Sequence, residues 1–175
     1  MLVKCSLLTC TVSFILYILL HTQKRLIRGH GMDSFEKNAV KIRRLTLSDV
    51  DTVISVDWAK IPDKEMVSSQ RGGRFDASFI AEFHGILVGF VLSRIIYVGR
   101  PMTGICQLHL IAVRPEYQRH GIGAMLLDRL AAYCKELGIQ TMRTIVHEDN
   151  AELLKYFQDV GFHPSKILNL DRSVE

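Results

Sequence analysis

Disulfide frameworks and thiolate metal sites are the first things this sequence lacks. Its four cysteines, Cys5, Cys10, Cys106 and Cys134, form no C-x-x-C pair and no metal-ligand spacing. They read as buried or incidental thiols in a reducing compartment, and no metal is expected. An excess of positive charge is missing where it would matter. The net charge is +4, but residues 1–31 carry Lys4, Lys24, Arg25 and Arg28 without a single acid. Removing those four leaves 18 Lys and Arg against 18 Asp and Glu. A formally neutral body lacks the basic face of a nucleic-acid binder, so no nucleic-acid partner is expected. Repeats and low-complexity segments are absent too, which excludes solenoids. What remains is a chain of 175 residues. That length buries a core without staples and suits one domain with an appendage.

The appendage is residues 1–31. Residues 5–20 are apolar and uncharged, and Lys24, Arg25 and Arg28 follow. With Leu2 and Val3 the run is barely long enough to span a bilayer. Two readings stand level. One is a short membrane anchor, with the basic residues holding the domain on the cytoplasmic face. The other is a start assigned too early, with translation beginning at Met32 and a cytoplasmic protein. A signal peptide ranks lowest, because no small-x-small cleavage site follows the run and the charge lies on its wrong side.

Residues 32–175 read as a complete domain. Val40 to Leu45 suggests a first strand. Ser48-x-x-Asp51 resembles a capping box before a helix through Val50, Val53, Ile54 and Trp58. Pro62 opens a weakly periodic helical region that Gly72-Gly73 ends. Ala77–Phe83 alternates, His84-Gly85 is a two-residue hairpin signal, and Ile86–Val98 is a long β-branched and aromatic run. Ile105–Val113 is the next strand. Leu126, Leu127, Leu130, Cys134 and Leu137 have helical spacing, with Gly138 as C-cap. Thr141–Val146 reads as a strand, and Asp149-x-x-Glu152 as the cap of a helix that Gly161 ends. Phe162 and then Lys166–Leu170 are the last extended pieces. The order predicts an α/β fold, a mixed sheet with helices on both faces.

Between Val113 and the helix lies the stretch with the clearest chemistry. A strand ends at Pro115, and Gly121 and Gly123 precede a helix. That order presents free N–H groups at a helix N-terminus, where phosphate binds. The glycines let the ligand approach the backbone, and Arg119 and His120 add charge. It is neither a dinucleotide fingerprint nor a P-loop, since residue 126 is Leu and no G-K-[ST] follows.

Gln118-Arg119-His120-Gly121-Ile122-Gly123 after Val113-Arg114-Pro115 resembles the acyl-CoA signature of the GNAT superfamily of N-acetyltransferases. Asn150 in the next β–α junction, with Gly161-Phe162 after the helix, is similar to the second hallmark of that family. The likeness covers roughly residues 40–170. It implies a GNAT-type, mostly antiparallel mixed sheet. It implies acetyl-CoA as co-substrate, its pyrophosphate on the N–H groups of Arg119, His120, Gly121, Ile122, Gly123 and Ala124 after Gln118. The pantetheine arm would lie along Ile111-Ala112-Val113, with Asn150 bonding it from the far side. It implies direct acetyl transfer to a primary amine of a small molecule, peptide or protein, and relatives that are often homodimers.

The proton-transfer residues depart from the family pattern. Its usual Tyr donor position holds Phe157, with Tyr156 beside it, and its usual base positions hold Ile145 and Gln107. His109 matches a position where arylalkylamine N-acetyltransferases carry a catalytic His. Strict alternation sets it on one face with Gln107, Ile111 and Val113, and an imidazole suits a base or a relay to water. His109 and Tyr156 are therefore the catalytic candidates. Glu82 acting through water and the polar loop His147-Glu148-Asp149 stand behind them. The departures also allow a non-catalytic acyl-CoA-binding module of the same fold. A membrane-tethered interaction protein has support only from residues 1–31.

Overall fold

The unbroken β-branched and aromatic run at Ile86–Val98 forms the longest strand, and the other strands assemble around it. The computed structural model describes residues 37–59, 76–99, 102–167 and 172. The chain divides into two units, Met1–Ile145 and Val146–Glu175. The first holds a five-stranded sheet of β1 (Val40–Arg44), β2 (Phe79–Phe83), β3 (Ile86–Val98), β4 (Thr103–Val113) and β5 (Met142–Arg143), in that spatial order. The first three pairings are antiparallel and the last is parallel. At the β2–β3 turn, His84 and Gly85 take φ of +50° and +79°, and Phe83 stands opposite Ile86. Such a turn matches the twist of its strands and pins their register.

Each face of this sheet has its own helix. On one, Ile80, Phe90, Leu92, Leu110 and Ala112 pack with Val50 and Val53 of α1 (Val50–Ser55). Trp58 closes that core, its ring centroid 5.6 Å from Phe90. On the other, Phe79 meets the ring of Tyr133 on α2 (Ile122–Glu136), 5.7 Å away. Ile122, Leu126, Leu130 and Cys134 are the buried stripe of that helix. Each leucine buried there contributes ~1.5–3 kcal/mol. Gly138, at φ +72°, ends α2 as expected, and Ile139 N–H donates to Cys134 O at 2.8 Å.

The second unit holds α3 (Ala151–Asp159), with Leu153 and Phe157 buried. Gly161 ends it at φ +92°, and Phe162 N–H donates to Phe157 O at 2.9 Å. The rings of Phe157 and Phe162 sit 4.9 Å apart.

Several local expectations are corrected. The strand foreseen over Thr141–Val146 is only Met142–Arg143, because only these residues pair with β4. α1 stops at Ser55, short of Trp58. Lys166 and Ile167 lie in no strand; the rest of that segment, residues 1–31 and the Pro62 region fall outside the described residues. Among the described residues no helix is long and apolar enough to cross a membrane. The first cap is built on Thr46 and Asp49, not on Ser48 and Asp51. Thr46 donates from its N–H at 2.8 Å and its hydroxyl at 2.6 Å to Asp49 Oδ2.

Asp49 is chosen because Arg43 of β1 reaches it. The guanidinium donates to both Asp49 oxygens at 2.7 Å and to Glu82 of β2 at 2.8 Å. Arg43 holds the Asp49 carboxyl well below the usual carboxylate range. Glu82 is thus held by Arg43 through Oε1. The Arg43 side chain is 41% exposed, so the pair itself adds little and the cap carries most of the effect. Asp49→Ala is expected to cost about 1–2 kcal/mol at pH 7, read from urea unfolding. Because the folded carboxyl is depressed, the stabilisation is complete above the ordinary carboxylate pKa of ~4 and declines below it. The gap between wild type and variant should therefore shrink in acid; a gap that widens would contradict this assignment.

Candidate active site

The β3–β4 ladder decides where the chemistry-bearing side chains go. It runs from Gly89↔Val113 to Leu92↔Leu110, then slips so that Ser93 stands opposite Leu108. His109 is the extra residue of a β-bulge. The slip overturns the alternation argument. Gln107 stands opposite Arg94, and Ile111 opposite Val91. Positions 91 and 94 lie on opposite faces of β3, so Gln107 does not share a face with Ile111 and Val113. Burial first, and then the charge of Arg94, lower the His109 imidazole to about 4. The ring is neutral at pH 7.

Among the described residues the second edge of β4 is nearly unpaired. β5 pairs with it only at Cys106↔Met142 and Gln107↔Arg143. From Leu108 to Val113 no strand of the described residues pairs with that edge. Its alternate N–H and C=O groups can take an extended ligand as an added strand. Ile111, Ala112 and Val113 are the buried end of this edge.

Past Val113 the chain makes the predicted turn. Arg114 N–H donates to Val88 O at 2.8 Å, closing the ladder, and a 3-10 turn follows at Pro115–Tyr117. Gln118 Nε2 donates to Val113 O at 2.9 Å, tying the loop back to the strand end. Arg119 and Gly121 take φ of +63° and +80°. A left-handed arginine costs energy, and such residues turn successive N–H groups inward around an anion. α2 starts at Ile122, and its first intrahelical bond runs from Met125 N–H to Gly121 O. The N–H groups of Ile122, Gly123 and Ala124 thus have no partner within the helix. Ile122 is 1% exposed, which nails the first turn to the sheet. Gly89 allows that approach. A Cβ there would stand 3.0 Å from Ala112 O and 3.4 Å from Ile122 Cγ2 and Leu126 Cδ1. The first unit therefore brings together residues 107–113 and 118–124.

Asn150 and Tyr156 belong to the second unit. Asn150 is the N-cap of α3, in place of the Asp149 foreseen, and its Oδ1 accepts from Leu153 N–H at 3.2 Å. Asp149 instead lies 3.1 Å from His147 Nδ1. Tyr156 packs edge-on against Phe157, 5.4 Å between centroids, and burial pushes its phenol up to about 12. Phe157 is a core residue.

Three groupings were invisible in the sequence. Arg94 and Arg143 come to flank Gln107 only through the register. Arg43 reaches both acids only across the β1–β2 pair. Cys106 and Cys134, both buried free thiols, meet between β4 and α2, and this contact together with burial pushes the Cys106 thiol up.

The pattern of the acetyltransferase (GNAT) family matches residues 47–162. An uncharacterized N-acetyltransferase of Methanocaldococcus jannaschii is 24% identical over 140 residues, which are 73% of this chain and 62% of that protein. This chain thus spans less than two thirds of that relative. An N-alpha-acetyltransferase of Sulfurisphaera tokodaii is 27% identical over 138 residues, 73% of this chain and 83% of the relative. The solved structure of AAC(6')-Iy in complex with the bisubstrate analog CoA-S-monomethyl-acetylneamine superposes with a TM-score of 0.63 at 21% identity, covering 77% of this chain and 98% of that one. At that identity the likeness is one of fold.

The His109 environment is directly measurable. Its ring is expected to titrate near 4 by NMR. Removing the neighbouring charge with Arg94→Gln should move the value upward, without restoring the ordinary ~6.5, because burial is the larger cause. A wild-type titration at ~6.5 would contradict the burial of the ring beside Arg94.

Proposed function

From the premise that the chain belongs to the acetyltransferase (GNAT) family, we propose that it moves an acetyl group from acetyl-CoA directly to a primary amine of a small molecule, peptide or protein. The observation that carries this reading is the bare edge of β4 leading into the turn at 118–123. The two together suit a long extended thioester with a diphosphate at one end. The N–H groups from Arg119 to Ala124 would hold the pyrophosphate, and Gln118 keeps that turn on the strand end. The backbone of Ile111, Ala112 and Val113 would hold the pantetheine arm. Acetyl-CoA supplies an activated acyl thioester.

The rest falls to this chain's own side chains. His109 lies about 13 Å along β4 from Val113, at the far end of the bare edge. Being neutral at pH 7, it can take a proton from the incoming amine or from a water between them. A base at about 4 is weak. It matches an α-amino group, whose pKa is about 8, better than an alkyl ammonium near ~10.4. This favours an α-amine next to an amide carbonyl, as at a peptide N-terminus. Tyr156, at about 12, keeps its proton across this range and is suited to donating a hydrogen bond rather than a whole proton. The roles of Asn150 and Tyr156 rest on the family resemblance alone.

Acetyl-CoA at 100 times its dissociation constant should stabilise the full-length chain by ~2.7 kcal/mol, visible as a rise in Tm. Gly121→Glu should abolish the rise, since it brings a side chain and a negative charge to a left-handed position beside the cradle. No shift with wild type at millimolar acetyl-CoA rejects the reading. His109→Ala should keep the shift and lose about 10²-fold in turnover on an amine panel. Unchanged turnover would remove His109 from the mechanism. Binding without turnover of any amine by wild type would favour the acyl-CoA-binding module.

A further inference from the structure

Three side chains stand in a row across three strands. The register sets Arg94 of β3 opposite Gln107 of β4, and Gln107 opposite Arg143 of β5. Residues paired in register share a face, so Arg94, Gln107 and Arg143 project from one side of the sheet. Gln107 is 8% exposed, and both arginines are half-buried. Arg94 Nε is closed off from solvent without a hydrogen-bond partner among the described residues. Among the described residues neither arginine makes an ion pair with an Asp or Glu. Two like charges held in one half-buried row, with no ion-pair partner among the described residues, favour an anion that joins them.

The place of the row says which anion that is. β4 and β5 part immediately beyond it, and the bulged His109 follows on the same strand. Arg94 is near enough for its charge to act on the His109 ring. The phosphate cradle lies past Val113, at the other end of the bare edge, about 20 Å from Gln107 along the strand. An anion in the row is therefore not the phosphate of the cradle.

We propose that Arg94 and Arg143 clamp an anionic group of the acceptor, so that the preferred acceptor is an amine carrying a carboxylate a few bonds from its nitrogen. This rests on the acetyl-transfer reading above and deepens it. Each guanidinium offers a planar fork that fits a carboxylate, and the Gln107 amide adds a donor between them. The carboxylate is held and not changed, while its amine is presented at the place where the strands part. A free amino acid supplies this chemistry, and so does a peptide whose first residue is acidic.

Two matched pairs of acceptors separate those sources. One is glycine against glycinamide, with rates referred to the neutral amine. The other is the peptide amide Glu-Ala-Ala against Gln-Ala-Ala. With the full-length chain and saturating acetyl-CoA, the carboxylate member of at least one pair should be favoured in kcat/KM by about tenfold to a hundredfold, mostly through KM. Arg94→Gln and Arg143→Gln should each cut that preference to a few-fold, and Arg94→Lys should retain more of it than Arg94→Gln. Titration of the two peptides into the chain with CoA bound, where no acetyl group is present to transfer, should show the same ordering in Kd. Turnover without carboxylate preference in either pair overturns the clamp and leaves acetyl transfer standing. So does a preference that survives both Gln variants. Failure of acetyl-CoA to bind, or of every amine to be acetylated, overturns the underlying reading instead.

Discussion

A one-residue slip in the pairing of β3 with β4 is the constraint on which the site depends. Above it, Ile111 and Val113 share their face with Val91 and Gly89, toward α2. Below it, Gln107 is matched with Arg94. Without the slip, Gln107 and Ile111 would lie on one face of β4, and Gln107 would no longer stand beside Arg94. The bulge costs a ladder bond at His109. It gives one strand two parts: a buried apolar end that anchors a helix, and an end that carries Gln107 and His109.

The second requirement is closeness at the helix start. Gly89, Ala112 and Ile122 meet at separations that leave no space for a further side chain. The first turn of α2 is therefore fixed to the same strand whose edge is bare. The turn at 118–124 and the edge of β4 thus belong to one closely packed piece.

Much of this was legible in the sequence, because it is local. The hairpin at His84-Gly85, the full extent of β3, and the glycine ends of α2 and α3 follow from residue chemistry within a few positions. So does the strand–turn–helix around Gly121. What failed was non-local. The true cap follows from a guanidinium on a different element, which makes Asp49 a better partner than Asp51. β5 is short because strand pairing ends where β4 parts from it, although Thr141–Val146 has the composition of a longer strand. A bulge changes no residue type, so no periodicity announces it, and alternation counted straight through His109 came out wrong. The row of Arg94, Gln107 and Arg143 is a product of register alone.

The bare edge of β4 also bears on how the chain is made and kept apart from its own copies. Strands β1 to β4 neighbour one another in the order of synthesis, so each new strand can zip onto the last as it emerges. β4 is then left with a free side until α2 and β5 have been made, and among the described residues no strand pairs with that side from Leu108 to Val113. An unpaired strand edge is a template for any other extended chain. The bulge at His109, which bends and twists the strand, and Pro115 just beyond its end both blunt that template. The irregularity that shapes the site also protects the nascent chain from edge-to-edge association.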